Sequence, residues 1–149
     1  MGLRDNLKNM IADQQRAADE AVEKAKQEAD RRRARMLELT KASFLRILAE
    51  DAVQEIVGYH VKNVRGLRVV VLACYDDRAV IYLDPESNVP RQHPLNIEVD
   101  VDFAVAPAAI ASDEVQAAIV ALKHEGILVK AEPDTKTGAV RFSIDYRNL

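Results

Sequence analysis

Between residues 3 and 57 the chain holds neither glycine nor proline, the two residues that most often interrupt a helix. Ala, Glu, Lys, Gln and Arg crowd that stretch instead, so the pattern predicts one very long helix covering more than a third of the 149 residues. At 1.5 Å per residue such a helix would run roughly 80 Å, too far for a small domain to cover. The expectation is that much of it is solvated, bundled with copies of itself, or docked on a partner.

Other scarcities narrow the function classes. There is one cysteine, Cys74, which excludes an internal disulfide framework and a cysteine-rich zinc site. It sits in the apolar run Val69 to Cys74 and reads as a small buried hydrophobe. There is no tryptophan, and aromatics make up 5% of the chain, so a large core is not expected along the alanine-rich helix. No apolar run approaches the 18–20 or so residues that a bilayer span needs. The polar beginning of the sequence lacks the apolar segment of a secretory leader. These features lead to the expectation of a cytoplasmic protein, or one held within a soluble assembly such as a virion.

Charge is uneven along the chain. Residues 1–66 carry 13 Lys and Arg against 11 Asp and Glu, a net +2, whereas residues 67–149 carry 8 against 13, a net −5. An acidic C-terminal half argues against that surface gripping phosphate backbones. It does allow the domain of one copy to meet the helix of another.

The long helix reads in three parts. Leu3, Leu7, Met10 and Ile11 share one face at helical spacing. That face suits a protein contact better than a membrane anchor, since Arg4 and Lys8 are its only cations and Asp5 offsets one. From Ala12 to Arg35 the apolar residues are small. Ile11, Ala18 and Ala25 form one row and Val22, Ala29 and Met36 the next, a thin heptad-like seam interrupted by Gln15 and Arg32. Glu20 with Lys24 and Glu28 with Arg32 stand at the favoured i,i+4 spacing. Arg31, Arg32, Arg33 and Arg35 form the one concentrated basic run. They are candidates for contact with phosphate or an acidic partner, against the plainer reading of a solvated helix surface.

Phe44 to Val64 carries larger side chains in a broad stripe, including Leu45, Leu48, Ala52, Val53 and Ile56, and reads as the part lying on a sheet. Thr40 and Ser43 would suit the cap of a fresh helix, so a break near residues 39–43 is weighed against continuity. The helix should end near Asn63, with Gly66 as the exit.

Strands are predicted over 67–74, 79–83 and 95–105, with 84–94 as a surface loop. In the third of these Ile97, Val99, Val101 and Phe103 alternate with Glu98, Asp100 and Asp102. Ser112 is a good N-cap for a helix running to about Glu125 with Gly126 at its C′ position. A hairpin follows over 127–132 and 139–146. The expected fold is α+β, a long N-terminal helix then a mostly antiparallel sheet with one further helix, in the order α-β-β-β-α-β-β. Residues 1–43 are expected as a helical stalk and 44–149 as the globular domain.

Chemistry-bearing motifs are sparse. Glu98, Asp100 and Asp102 would project from one strand face about 7 Å apart, where two of them could hold a divalent cation. The plainer reading is a charged face that discourages edge pairing. His60, His93 and His124 share no ligand spacing. The glycines form no phosphate-binding pattern, and no Ser or Cys stands in a nucleophile setting.

Ser112 to Asp145 resembles the second half of a winged-helix module: a capped helix ending Leu122-Lys123-His124-Glu125-Gly126-Ile127-Leu128, then a hairpin with a polar tip at Asp134-Thr135-Lys136. That resemblance implies a nucleic-acid-binding role. Two features depart from it: residues 96–105 read as strand where a first helix belongs, and the would-be recognition helix opens with Asp113-Glu114.

The leading expectation is therefore a non-enzymatic structural or assembly protein needing no cofactor. Its expected partner is a further copy of itself or another protein, met through Leu3, Leu7, Ile11, Ala18, Val22, Ala25, Ala29 and Met36, with neither nucleic acid nor membrane expected. A virion, a secretion machine or a rotary-motor stalk would suit such a component by architectural analogy. The alternatives are a nucleic-acid-binding protein using Arg31–Arg35 and the hairpin tip, and a metal-dependent enzyme built on Glu98, Asp100 and Asp102.

Overall fold

The computed structural model describes residues 2–149. The first element, α1, is a 45-residue helix, Leu3–Ile47. Contacts divide the chain at Arg35: residues up to there form one unit and Met36–Leu149 a second. In the first, every described residue is exposed. In the second, burial begins with Met36 and Leu37, and Thr40, Ser43, Phe44 and Ile47 are fully covered.

The helix does not run unbroken to Asn63, nor does it break at 39–43. It breaks at Leu48-Ala49, where Ala49 turns to extended backbone (φ −65°, ψ 147°), and α2, Glu50–Asn63, begins. No glycine or proline is needed. Ile47 and Leu48 on one side of the bend and Val53 and Ile56 on the other all enter the same core, and the change of direction lets both groups reach it. Glu50 and Asp51 in the new first turn complement the helix dipole. The Asp51 carboxylate accepts the Ala52 N–H at 2.9 Å. The acidic pair was a legible start signal.

After α2 come β1 (Val69–Cys74), β2 (Ala79–Tyr82), β3 (Gln92–Pro94), a 3₁₀ turn (Phe103–Val105), α3 (Ala106–Ala111), α4 (Asp113–His124), β4 (Leu128–Asp134) and β5 (Ala139–Asp145). The five strands form one antiparallel sheet in the order β3-β2-β1-β5-β4, so the expected α+β class with an antiparallel sheet is what the chain adopts. Two elements depart from expectation. The third strand is a three-residue piece within the predicted loop, and 95–102 joins no ladder. In addition, 106–111 is helix.

The core lies on the sheet face that carries Leu72, Ile81, Val140, Phe142 and Ile144, beneath the helices. Phe44 meets Phe142 edge-on, with ring centroids 5.2 Å apart and planes at 71°. Such a pair contributes about 0.5–1.5 kcal/mol beyond its area. Ala73, Val80, Tyr82 and Ala139 form a smaller cluster on the alternate residues, that is, on the opposite face. Cys74 is buried, which pushes its thiol up to about 12.

α4 is capped at both ends as its sequence promises. Ser112 Oγ accepts the Val115 N–H at 3.4 Å. At the far end Ile127 N donates to Leu122 O at 2.9 Å and Gly126 N to Lys123 O at 3.0 Å, with Gly126 at φ +86°. This is the paired bonding of a Schellman motif, which requires a left-handed residue at that position.

Candidate functional site

Each candidate drawn from the sequence has a definite place. On α1, Leu3, Met10, Ile11 and Val22 are 74%, 64%, 64% and 70% exposed and Leu7 is 47% exposed. Ala18, Ala25 and Ala29 are also exposed, while Met36 is half-buried at the start of the compact unit. A row of large apolar side chains left open at i, i+4 and i+8 is what an unfilled helix interface looks like. The expected pairs Glu20–Lys24 and Glu28–Arg32 do not close. Among the described residues the ion pairs of this helix are Asp13–Arg16 at 3.9 Å, Glu38–Lys41 at 2.9 Å and, to α4, Lys41–Glu114 at 3.6 Å. Fully solvated charges gain too little from pairing to hold two long side chains still. Arg31, Arg32, Arg33 and Arg35 are exposed and stand in no ion pair among the described residues.

Glu98, Asp100 and Asp102 lie on the unpaired extended segment. Its period-2 burial is real, with Val99 and Val101 buried and Glu98 and Asp100 exposed, but residues 98, 100 and 102 hydrogen-bond to a helix, while the Leu95 and Val101 N–H groups donate to Ala79 O and Asp76 O. Thr40 Oγ1 accepts the Asp102 N–H at 3.0 Å, Ser43 Oγ accepts the Asp100 N–H at 2.8 Å, and Arg46 Nη1 donates to Glu98 O at 3.0 Å. Three side chains at i, i+3 and i+6 of α1 thus serve alternate residues of the strand-like segment. Thr40 and Ser43 are the residues that the sequence suggested as helix caps. The Asp102 carboxylate is engaged locally, accepting the Ala104 N–H at 2.9 Å. Among the described residues no three His, Cys, Asp or Glu side chains come together as a metal would need.

The histidines are likewise dispersed. His60 is buried, with Nδ1 at 2.7 Å from the Tyr146 hydroxyl, which also lies 3.2 Å from Leu67 O. Burial lowers its pKa. His93 stacks on Tyr59 at 3.8 Å between centroids, and His124 is exposed.

In the winged-helix-like segment α4 and the β4–β5 hairpin form as expected, and α3 now precedes α4. Phe103–Ala111 and Asp113–His124 meet at 61° across the single residue Ser112. DNA-binding helix pairs turn by about 90–120° over three or four residues. The α4 surface offers Asp113 and Glu114 besides Lys123 and His124, with Glu125 just beyond its end. At the hairpin tip the Asp134 carboxylate accepts the Lys136 N–H at 3.0 Å, a bond that lowers its pKa and keeps a negative charge there.

One feature escaped the sequence reading. Between α2 and α4 runs a cleft of about 720 Å³, walled by Leu48, Val53 and Val57 on one side and Ala118, Ala121 and Leu122 on the other. Gly58 and the two alanines keep its walls low, and Glu50 and Glu125 stand on its rim. Each apolar residue is ordinary for an amphipathic helix, so nothing in their spacing announces a gap between helices.

No helix of the chain is by itself long and apolar enough to cross a membrane. No family model, no curated protein and no solved structure matches the chain.

Proposed function

We propose that the protein is a non-enzymatic assembly component that associates with copies of itself through the N-terminal part of α1. The observation that carries this reading is the exposure of Leu3, Leu7, Met10, Ile11 and Val22 along a helix whose first 33 residues, Leu3–Arg35, bury nothing. Exposed single hydrophobes are ordinary, but an aligned set at helical spacing loses free energy to water until a partner covers it. The alanine row from Ala18 to Ala29 lets two helices approach closely while adding little area, so the large residues near Leu3–Ile11 supply most of the apolar gain.

The test is the solution mass of the full chain against a chain lacking residues 2–35. The full chain is expected to sediment as an oligomer whose mass rises with concentration. The shortened chain should be a folded monomer. Its cut falls at Arg35 because Leu37 and Thr40 already belong to the core. A full chain that stays monomeric at high concentration overturns the proposal.

A further inference from the structure

We infer that the α2–α4 cleft is the receptor for the N-terminal end of α1 from a second copy, giving a head-to-tail contact. The inference rests on the self-association proposed above and names what the exposed stripe binds. The cleft is an apolar slot about 720 Å³ in volume, within the range of sites that take ligand-sized groups. Leu3, Leu7 and Ile11, with Met10 beside them, form a stripe of the kind that lies in such a groove, with anchors at i, i+4 and i+8.

Charge decides the occupant. Arg4 and Lys8 each follow a stripe residue by one position, so both stand about 100° round the helix from it, along one border of the apolar face. The cleft presents carboxylates, Glu50 from α2 and Glu125 from beyond α4. A helix seated by its leucines therefore brings two cations to an acidic rim, matching the +2 and −5 imbalance of residues 1–66 and 67–149. A parallel pairing of the stripe with its own kind would instead set Arg4 and Lys8 of both chains near one another. Because donor and receptor are different surfaces, the contact passed one way from chain to chain builds a ring or a filament, and passed both ways between two chains it closes a pair.

The test uses two full-length variants. Leu7→Glu with Ile11→Glu spoils the donor, and Ala121→Trp fills the receptor at an exposed position on its wall. Each alone should weaken association about tenfold or more, as removal of a central anchor does. Mixing the two should restore it, giving a 1:1 pair, since each chain keeps the half that the other has lost. As a control that leaves the core untouched, Glu50→Lys with Glu125→Lys should weaken association a few-fold and be rescued by Arg4→Glu with Lys8→Glu.

If the native chain is monomeric, the self-association reading fails. If the native chain associates but Ala121→Trp associates equally well, that reading survives and the cleft inference falls. The inference also falls if the two variants, mixed, fail to form a pair.

Discussion

Ser43, within α1, and Asp100, 57 residues later, are joined through the Ser43 hydroxyl: it accepts the Asp100 N–H at 2.8 Å and donates to Leu39 O at 2.9 Å. A serine in mid-helix that returns its proton to the preceding turn has a free lone pair, and here a passing strand-like segment uses it. Thr40 Oγ1 accepts the Asp102 N–H one turn earlier. Together they accept the Asp100 and Asp102 amides as a neighbouring strand would, while Val99 and Val101 enter the core.

Removing these acceptors should be costly because the amides facing them lose their partners. Ser43→Ala and Thr40→Val are each expected to destabilise the fold by about 1–3 kcal/mol, read as a lower denaturant midpoint at unchanged slope. A midpoint that does not move would mean water replaces the hydroxyl.

Core and exposed helix should respond very differently. Ile56→Ala removes a fully buried side chain from α2 and should cost about 2–5 kcal/mol. Arg16→Ala, at an exposed position with a 3.9 Å surface pair, should stay within about 0.5 kcal/mol. Equal effects would place the boundary of the folded unit elsewhere.

His60 should make stability depend on pH in a defined window. Its folded pKa lies below the ordinary value of 6.5 because burial disfavours the imidazolium. The unfolded chain therefore takes up the proton first. The contribution is intact above about 6.5 and is lost as pH falls from there through the folded pKa. Tm should decline across that interval, and His60→Gln should flatten the decline. Asp134 and Asp145, whose pKa values are lowered, lose their contributions only below the ordinary carboxylate value near 3.8, so the two windows separate.

The basic run offers a discriminating charge test. Reversing Arg31, Arg32, Arg33 and Arg35 to Glu is expected to leave self-association nearly unchanged, since none lies on the Leu3–Ile11 stripe. Nucleic-acid binding by the native chain is expected to stay at background. Tight binding that weakens steeply with salt, and loses that slope in the reversed chain, would favour the nucleic-acid reading instead.

Much of this architecture is written locally. The absence of glycine and proline over 3–57, the alternation in 139–146, Ser112 before α4 and Gly126 after it are each read by the nearest few residues. Their outcomes followed: a long helix, a strand, a cap and a left-handed stop. The hairpins β1–β2 and β4–β5 follow from those pieces, because short connections leave antiparallel pairing as the one choice, whereas the central β1–β5 pair joins strands distant in sequence.

What the tertiary structure decided is where local signals compete. Residues 95–102 have the period of a strand, but period-2 burial requires only an extended chain between core and water. Thr40, Ser43 and Arg46 took the place of a ladder. The helix bend at Ala49 arose because residues on both sides of it had to reach one core, a demand that propensity at a single site does not register. The α2–α4 cleft is likewise a property of two helices together. Gly58, Ala118 and Ala121 are small wherever they stand, and only the spacing of the helices turns their smallness into a groove.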